Sequence, residues 1–327
     1  MEHNKAPGPD GFLAEFYQVF WNVIKPDLID LFNDFHSGNL PLYSLNFVTI
    51  ILLPKCKEAL KIQQYRHICL LNVSFKNFTK VATNRISGVA QKVISPTQTA
   101  FVPGRNIMEG VIILHETIHE LHQKKKSGVL FKIDFEKAYD KVKWSFVQPT
   151  LRIKGFSIKW CDSIASFIQG GHVGIKVNDQ VGSNFQTYKG LRQGDPLSPI
   201  LFNIVVDMLP MLPVIKFLEW SNIWSMMVYL SYNMLMILSI FLEHDLQKAK
   251  IMKLILTAFE KLSGLKINFH KSKLFCFGQA EECHEQYSNF FGCKLGDFPV
   301  RYLGIPMHFR KLTNKDWLTI TPQKNIG

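Results

Sequence analysis

The period of the hydrophobic positions changes several times along the chain. Val48-Thr49-Ile50-Ile51-Leu52-Leu53 is a continuous β-branched and apolar run, which predicts a strand ending at Pro54. Gly128 to Phe135 (GVLFKIDF) predicts a second short, buried strand. Val173 to Val177 and Ser183 to Tyr188 alternate, which predicts a hairpin joined by Asn178 to Gly182. Elsewhere the spacing is helical. Behind the Pro/Gly turn cluster Lys5-Ala6-Pro7-Gly8-Pro9-Asp10-Gly11-Phe12, an amphipathic helix runs through Phe35 with an interruption at Pro26. Val73 to Ile94 carries apolar positions interleaved with Lys76, Lys80, Arg85 and Lys92. Helices also follow at Ile107 to Lys124, at Lys137 to Lys154 with a kink at Pro149, and at Pro199 to Leu209. Leu246 to Leu262 is a further amphipathic helix, ended by Ser263-Gly264. There is no short internal repeat or low-complexity tract. Helices mixed with antiparallel strands make the fold class α+β.

Met226 to Leu242 (MMVYLSYNMLMILSIFL) breaks the pattern, being apolar almost throughout and about long enough to span a membrane. The first residues, Met1-Glu2-His3-Asn4-Lys5, have no apolar run behind them and are not a signal peptide.

The 327 residues suffice for one large domain or two ordinary ones. At 47% hydrophobic and 20% charged, the composition is globular and excludes a disordered chain. The formal net charge of +12 is a footprint of nucleic-acid binding, through neutralised phosphates, although basic proteins without that partner exist. Cys56, Cys69, Cys161, Cys276, Cys283 and Cys293 form no C-x-x-C pair, so they read as reduced thiols of an intracellular protein. Cys283-His284 with Cys293 lacks the second close pair that a zinc site needs.

The strongest chemical signal is Phe131-Lys132-Ile133-Asp134-Phe135-Glu136-Lys137-Ala138-Tyr139-Asp140. An Asp at the end of an apolar strand is a rigid, hard oxygen ligand of the kind Mg²⁺ requires. Taken alone, Asp134 reads more readily as the N-cap of the following helix. Its companions decide between the two. Downstream lies Gly190-Leu191-Arg192-Gln193-Gly194-Asp195-Pro196-Leu197-Ser198-Pro199, a punctuated loop opening an apolar helix. Upstream lie Leu53-Pro54-Lys55, Tyr65-Arg66-His67-Ile68 and Gln98-Thr99-Ala100-Phe101-Val102-Pro103-Gly104-Arg105.

In this order, from Ala6–Phe12 through Tyr302-Leu303-Gly304-Ile305-Pro306, these blocks resemble the motif set of non-LTR (LINE-type) retrotransposon reverse transcriptases, in a plant-like form. The Ala6–Phe12 opening and the Arg-Gln-Gly-Asp-Pro-Leu-Ser-Pro block favour that type over a group II intron maturase. The resemblance implies a right-hand polymerase fold. Residues 1–310 would be the reverse transcriptase domain, with 1–125 mainly fingers and 126–310 mainly palm, an altered segment at about 214–240, and 311–327 a truncated tail. It implies an RNA template, a DNA primer, a deoxynucleoside triphosphate and Mg²⁺, and a nuclear or cytoplasmic setting. An endonuclease would precede Met1, and an RNase H or zinc-knuckle region would follow Gly327, so the chain is expected to be a fragment.

At matching positions, Asp134 is the expected catalytic, metal-binding carboxylate, and the Phe135 carbonyl would add a ligand. Tyr139 matches the bulky residue that selects deoxynucleotides. Lys55 and Arg66 match fingers residues that grip the triphosphate. Gln193 and Gly194 match the loop under nucleotide and template, and Lys271, in Gly264–Ser272, a lysine near the leaving pyrophosphate. Tyr302, Leu303 and Gly304 match the hairpin that grips the primer end. His67 departs from the pattern, which has Pro after Arg.

A larger departure concerns the metals. Phosphoryl transfer of this kind uses two cations about 3.5–4 Å apart. The family supplies further carboxylates from a Tyr-x-Asp-Asp turn, expected between the Pro199–Leu209 helix and Leu246. Met226 to Leu238 contains no Asp. Glu243 and Asp245 lie past the expected turn. The genetic code suggests a cause. Read from each third base, Met226 into Met227 and Met236 into Ile237 force GAT, an Asp codon, and Met227 into Val228 forces GGT. The window from Trp224 to Ile237 permits Val-Asp-Asp-Gly-Leu-Ser-Ile-Leu-Gln-Tyr-Ala-Asp-Asp. A pair of compensating frameshifts, in a decayed element or a wrong gene model, would hide the turn and turn its codons into an apolar run. The expectation is a reverse transcriptase domain that is catalytically defective as written. The alternatives are a non-catalytic nucleic-acid-binding remnant and a protein with a single membrane span at Met226–Leu242.

Overall fold

Residues Phe47–Pro54 form strand β1, as their β-branched run requires, and pair antiparallel with β2, Tyr65–Leu71. The computed structural model describes residues 5–211, 225–230 and 236–318. The chain divides into two units, Met1–Val89 with Tyr139–Ile204, and Ala90–Ala138 with Val205–Gly327.

In the first unit β1 also pairs in parallel with β4, His172–Val177. β4 turns back into β5, Gln180–Val181, and pairs as well with β6, Phe185–Gln186. Helices α1 (Ala14–Val19), α2 (Trp21–Ser37), α3 (Val73–Ser87), α7 (Trp144–Ile153) and α8 (Ile158–Ile168) belong to this unit. Within it the Phe78 ring lies tilted against Phe32 and edge-on to Phe35, and Phe75, Phe78 and Leu71 are fully buried.

In the second unit β3, Gly128–Glu136, is central. The sheet runs β11 (Lys294–Leu295), β10 (Lys273–Phe277), β3, β8 (Met236–Glu243), β7 (Ser225–Leu230), with β9 (Lys266–Ile267) beside the end of β3. The hairpin of β12 (Val300–Tyr302) and β13 (Ile305–Met307) stands apart from it. Helices α4 (Ala90–Val93), α5 (Ile107–Gln123), α10 (Leu246–Ser263), α11 (His284–Phe291) and α12 (Asn314–Leu318) complete the unit. Helices α6 (Ala138–Lys141) and α9 (Ser198–Val206) lie where the chain crosses between units.

Three expectations are corrected. Pro26 lies inside the continuous helix α2, and Pro149 lies inside α7. The breaks fall elsewhere, at Phe20 and at Val142-Lys143. At the second, Gly190 N–H donates to the Val142 carbonyl and Leu191 N–H to the Tyr139 carbonyl, which takes both acceptors out of the helical ladder. The Val73–Ile94 helix likewise ends at Ser87, with Gly88 as its cap. The β4–β5 turn is tighter than Asn178–Gly182, because Asn178 and Asp179 take left-handed φ values of 49° and 63°. That is the geometry of a two-residue hairpin turn. The ladder then continues to Gly182, whose N–H donates to the Ile175 carbonyl.

The apolar run is strand, not helix. Met226 to Leu242 is divided between β7 and β8, with residues 231–235 outside the described residues. Among the described residues, no helix is long and apolar enough to cross a membrane.

Candidate nucleotidyl-transfer site

Alternation along β3 sorts its side chains onto two faces. Phe131, Ile133 and Phe135 point into one core and are buried. Leu130, Lys132 and Asp134 share the other face, and the cross-strand register extends each into a row. Leu130 pairs with Phe241 and Phe275, and this apolar row packs with Val300, Tyr302 and Met307. Lys132 pairs with Ser239 and Lys273. Asp134 pairs with Ile237.

Asp134 is held by its backbone. Its N–H donates to Ser272 Oγ at 3.0 Å, and its carbonyl accepts from Asn268 N–H at 2.7 Å. Ser272 Oγ in turn donates to the Asn268 carbonyl at 2.8 Å. The Asn268–Ser272 turn, between β9 and β10, thus clamps the end of β3 and brings Lys271 toward the Asp134 carboxylate. Partial burial raises the Asp134 pKa above the ordinary carboxylate range; Lys271, the Phe135 N–H and Lys132 oppose that rise. Burial also lowers the Lys132 pKa, with repulsion from Lys273 adding to it and Asp134 opposing.

These neighbours do not suit a pair of divalent cations. Among the described residues the charged groups that act on Asp134 are two lysines, and its cross-strand partner is an isoleucine. Among the described residues, no group of three or more His, Cys, Asp or Glu side chains is placed to hold a metal ion.

Tyr302, Leu303 and Gly304 occupy the β12–β13 turn of the same unit, with Leu303 and Gly304 at φ values of 53° and 84°. Tyr302 is buried, and Lys132 Nζ donates to the neighbouring Arg301 carbonyl at 2.6 Å.

The first unit assembles a different set. The Cys69 N–H donates to the Gln193 carbonyl at 2.7 Å, which seats the Gly194 turn against β2. Gly194 has φ of 113°, and a Cβ there would stand 2.7 Å from the Cys69 carbonyl oxygen, so glycine is required. Trp144 Nε1 donates to the Gly190 carbonyl at 2.7 Å. With the Gly190 and Leu191 bonds given above, this ties the Lys-Ala-Tyr-Asp block to the Arg-Gln-Gly-Asp block. The Tyr139 ring is buried, 5.2 Å from that of Phe202, and burial raises its pKa. Arg66 is exposed on β2 opposite Leu53, and Lys55, just past β1, donates to the Gln63 carbonyl at 3.1 Å. His67, the departure from the family pattern, lies in regular β2 pairing, and its Nε2 is 2.7 Å from Asp140 Oδ1. Proline there would make no such contact.

Two groups were missed by sequence reasoning. Ser272 and Asn268 are the clamp on Asp134, although both lie in the quoted Gly264–Ser272 block. Asp140 gains its partner from a strand distant in sequence. Neither contact has a local signal.

Comparison with known proteins agrees with the ordered motifs. Residues 53–307 match the model of the family described as reverse transcriptase (RNA-dependent DNA polymerase). The Transposon TX1 uncharacterized 149 kDa protein of Xenopus laevis is 31% identical over 208 residues, which cover 63% of this chain and 16% of that protein. The Pol polyprotein from the type-2 retrotransposable element R2DM of Drosophila melanogaster is 26% identical over 206 residues, 63% of this chain and 19% of that protein. The chain therefore spans less than a fifth of the length of these curated relatives. Among solved structures, telomerase from Candida albicans, determined with a fragment of telomeric RNA, superposes with a TM-score of 0.51 at 11% identity. That match covers 80% of this chain and 44% of the telomerase chain, and at such identity it speaks for the fold.

Proposed function

Because the chain belongs to the reverse transcriptase family and is the reverse transcriptase domain of a non-LTR retroelement, we propose that it has lost polymerisation while keeping its nucleic-acid surfaces. Reverse transcriptases generally use divalent metal ions. The observation that carries the loss is the register of β3 against β8, in which Asp134 faces Ile237. The family needs acidic side chains beside the first carboxylate, and this chain offers Lys271 and Lys132 there. Such a donor set does not fit a pair of Mg²⁺ ions.

The register also supports the hidden reading frame. The forced Asp codon straddles Met236 and Ile237, so the alternate frame would put an acidic residue at the strand position paired with Asp134. We infer that β7 and β8 are translated out of frame and that they keep strand character because the shifted codons encode apolar residues.

The partners we propose are an RNA template and a DNA primer. Supporting this are the net charge of +12 and the preserved blocks around Lys55, Arg66, Tyr139, Gln193 and Gly194 for a deoxynucleotide, Lys271 for its pyrophosphate, and Tyr302–Gly304 for the primer end. A retroelement polymerase works on RNA inside the cell, so we assign a nuclear or cytoplasmic setting.

Incubated with a primed RNA template, deoxynucleoside triphosphates and Mg²⁺, the chain is expected to yield no extension product. It is expected to bind an RNA–DNA hybrid with an affinity that falls steeply as salt rises. Extension that disappears in Asp134→Asn would overturn the loss of activity; absence of hybrid binding at low salt would overturn the retained surface.

A further inference from the structure

The Lys132 row of the second-unit sheet does not end at β10. Lys273 is the register partner of Lys132 across the antiparallel β3–β10 pair and of Lys294 across the parallel β10–β11 pair. Register partners point to the same face, so three lysines line up across three adjacent strands, with Lys132 Nζ also donating to the Arg301 carbonyl. Strands lie about 4.8 Å apart, so the row is roughly 10 Å long.

Such a row is unfavourable to folding. Like charges directly opposite one another on a sheet repel. At the other end of β3 the sheet follows the ordinary rule, with Glu136 opposite Lys266 and the charges 3.9 Å apart. Lys132 is half-buried and feels the repulsion from Lys273, while Lys273 and Lys294 are exposed. The row borders Asp134 on one side and, on the other, the apolar row that packs with Tyr302 of the β12–β13 hairpin.

We propose that Lys132, Lys273 and Lys294 form a track for the sugar-phosphate backbone of a nucleic-acid strand running across the sheet. A strip roughly 10 Å long exceeds a single phosphate group, and successive phosphodiesters match a row of cations better than one anion does. Lysine is suited to this work, as a point charge that needs no fixed geometry. The inference rests on the nucleic-acid reading above and adds where the strand lies.

The test is the salt dependence of RNA–DNA hybrid binding by fluorescence anisotropy, for the chain itself, for Lys273→Ala/Lys294→Ala, and for Lys124→Ala. Lys124, at the end of α5, is paired with Glu120, is not a member of the row and serves as the control. Two lost phosphate contacts lower the slope of log K against log salt by about 1.4–1.8, at ~0.7–0.9 for each. Lys124→Ala leaves the slope unchanged. The double variant melts no lower than the parent, because repulsion has been relieved, which separates lost binding from lost folding. Inorganic triphosphate competes weakly, and an oligonucleotide competes well. An unchanged slope in a double variant that binds overturns the track alone, as does triphosphate competing as well as the oligonucleotide. A parent chain that fails to bind hybrid overturns the track and the reading beneath it together.

Discussion

Primer extension is expected to appear when residues 225–237 are replaced by Val-Asp-Asp-Gly-Leu-Ser-Ile-Leu-Gln-Tyr-Ala-Asp-Asp. This change includes Met236→Asp and Ile237→Asp, and the second places a carboxylate in register with Asp134. Within the second unit the Asn268–Ser272 clamp already holds Asp134. Restoring catalytic groups that act as a unit is worth about 10³-fold or more in rate. That corresponds to about 4 kcal/mol of transition-state stabilisation. Extension by the repaired chain should vanish with Asp134→Asn. A repaired chain that folds, binds hybrid and still extends nothing would contradict the account.

Arg192→Met is expected to produce the largest loss of stability. Arg192 belongs to the same loop motif, but its side chain is turned inward. Nη1 donates to the Phe167 carbonyl at 3.1 Å, the guanidinium lies 5.4 Å from the Phe75 ring centroid, and Nη2 is buried. It is the chief charge countering the burial of Asp195, whose pKa is raised by desolvation. Asp195 also accepts the Leu197 N–H at 2.9 Å, fixing the start of α9. Removing one partner of a buried charge arrangement costs about 3 kcal/mol or more. At ~2–4 °C per kcal/mol, Tm falls by about 6–12 °C.

The pH dependence of that loss has a definite sign. A carboxylate whose folded pKa lies above its unfolded value binds protons more readily in the folded state. It therefore costs stability once ionised, and stability returns as pH falls through the raised pKa. Without Arg192 that pKa rises further, so the deficit is largest once Asp195 is ionised and shrinks on acidification. Adding Asp195→Asn to Arg192→Met should recover much of the Tm at neutral pH. A deficit independent of pH, and no recovery in the double variant, would mean the loss is one of packing.

Much of this arrangement was legible in the sequence because its signals are local. β1, β3, α5 and α10 follow from the period of apolar residues and from the Ser263-Gly264 stop. Pro26 misled, because the helix runs through it, and the break between α6 and α7 is set by tertiary hydrogen bonds. Val142 and Tyr139 give their carbonyls to Gly190 and Leu191, residues distant in sequence. The ordered motifs pointed to Asp134, Gln193 and Gly194, yet the Ser272 clamp, the His67–Asp140 contact and the lysine row depend on register, which a single sequence does not state. Met226–Leu242 is the opposite case. Its length and hydropathy suggested a membrane span, and its placement as two strands of a sheet fits a codon pattern that amino-acid propensity does not express.

The most direct test of the central claim is the nucleotide sequence encoding Trp224 to Ile237. The account predicts TCG for Ser225, TAC for Tyr232, AAT for Asn233 and CTG for Leu235, which complete the alternate-frame Val-Asp-Asp and Gln-Tyr-Ala-Asp-Asp. An AGT or AGC codon at Ser225, or any Leu235 codon that does not end in G, would break those acidic pairs and contradict it.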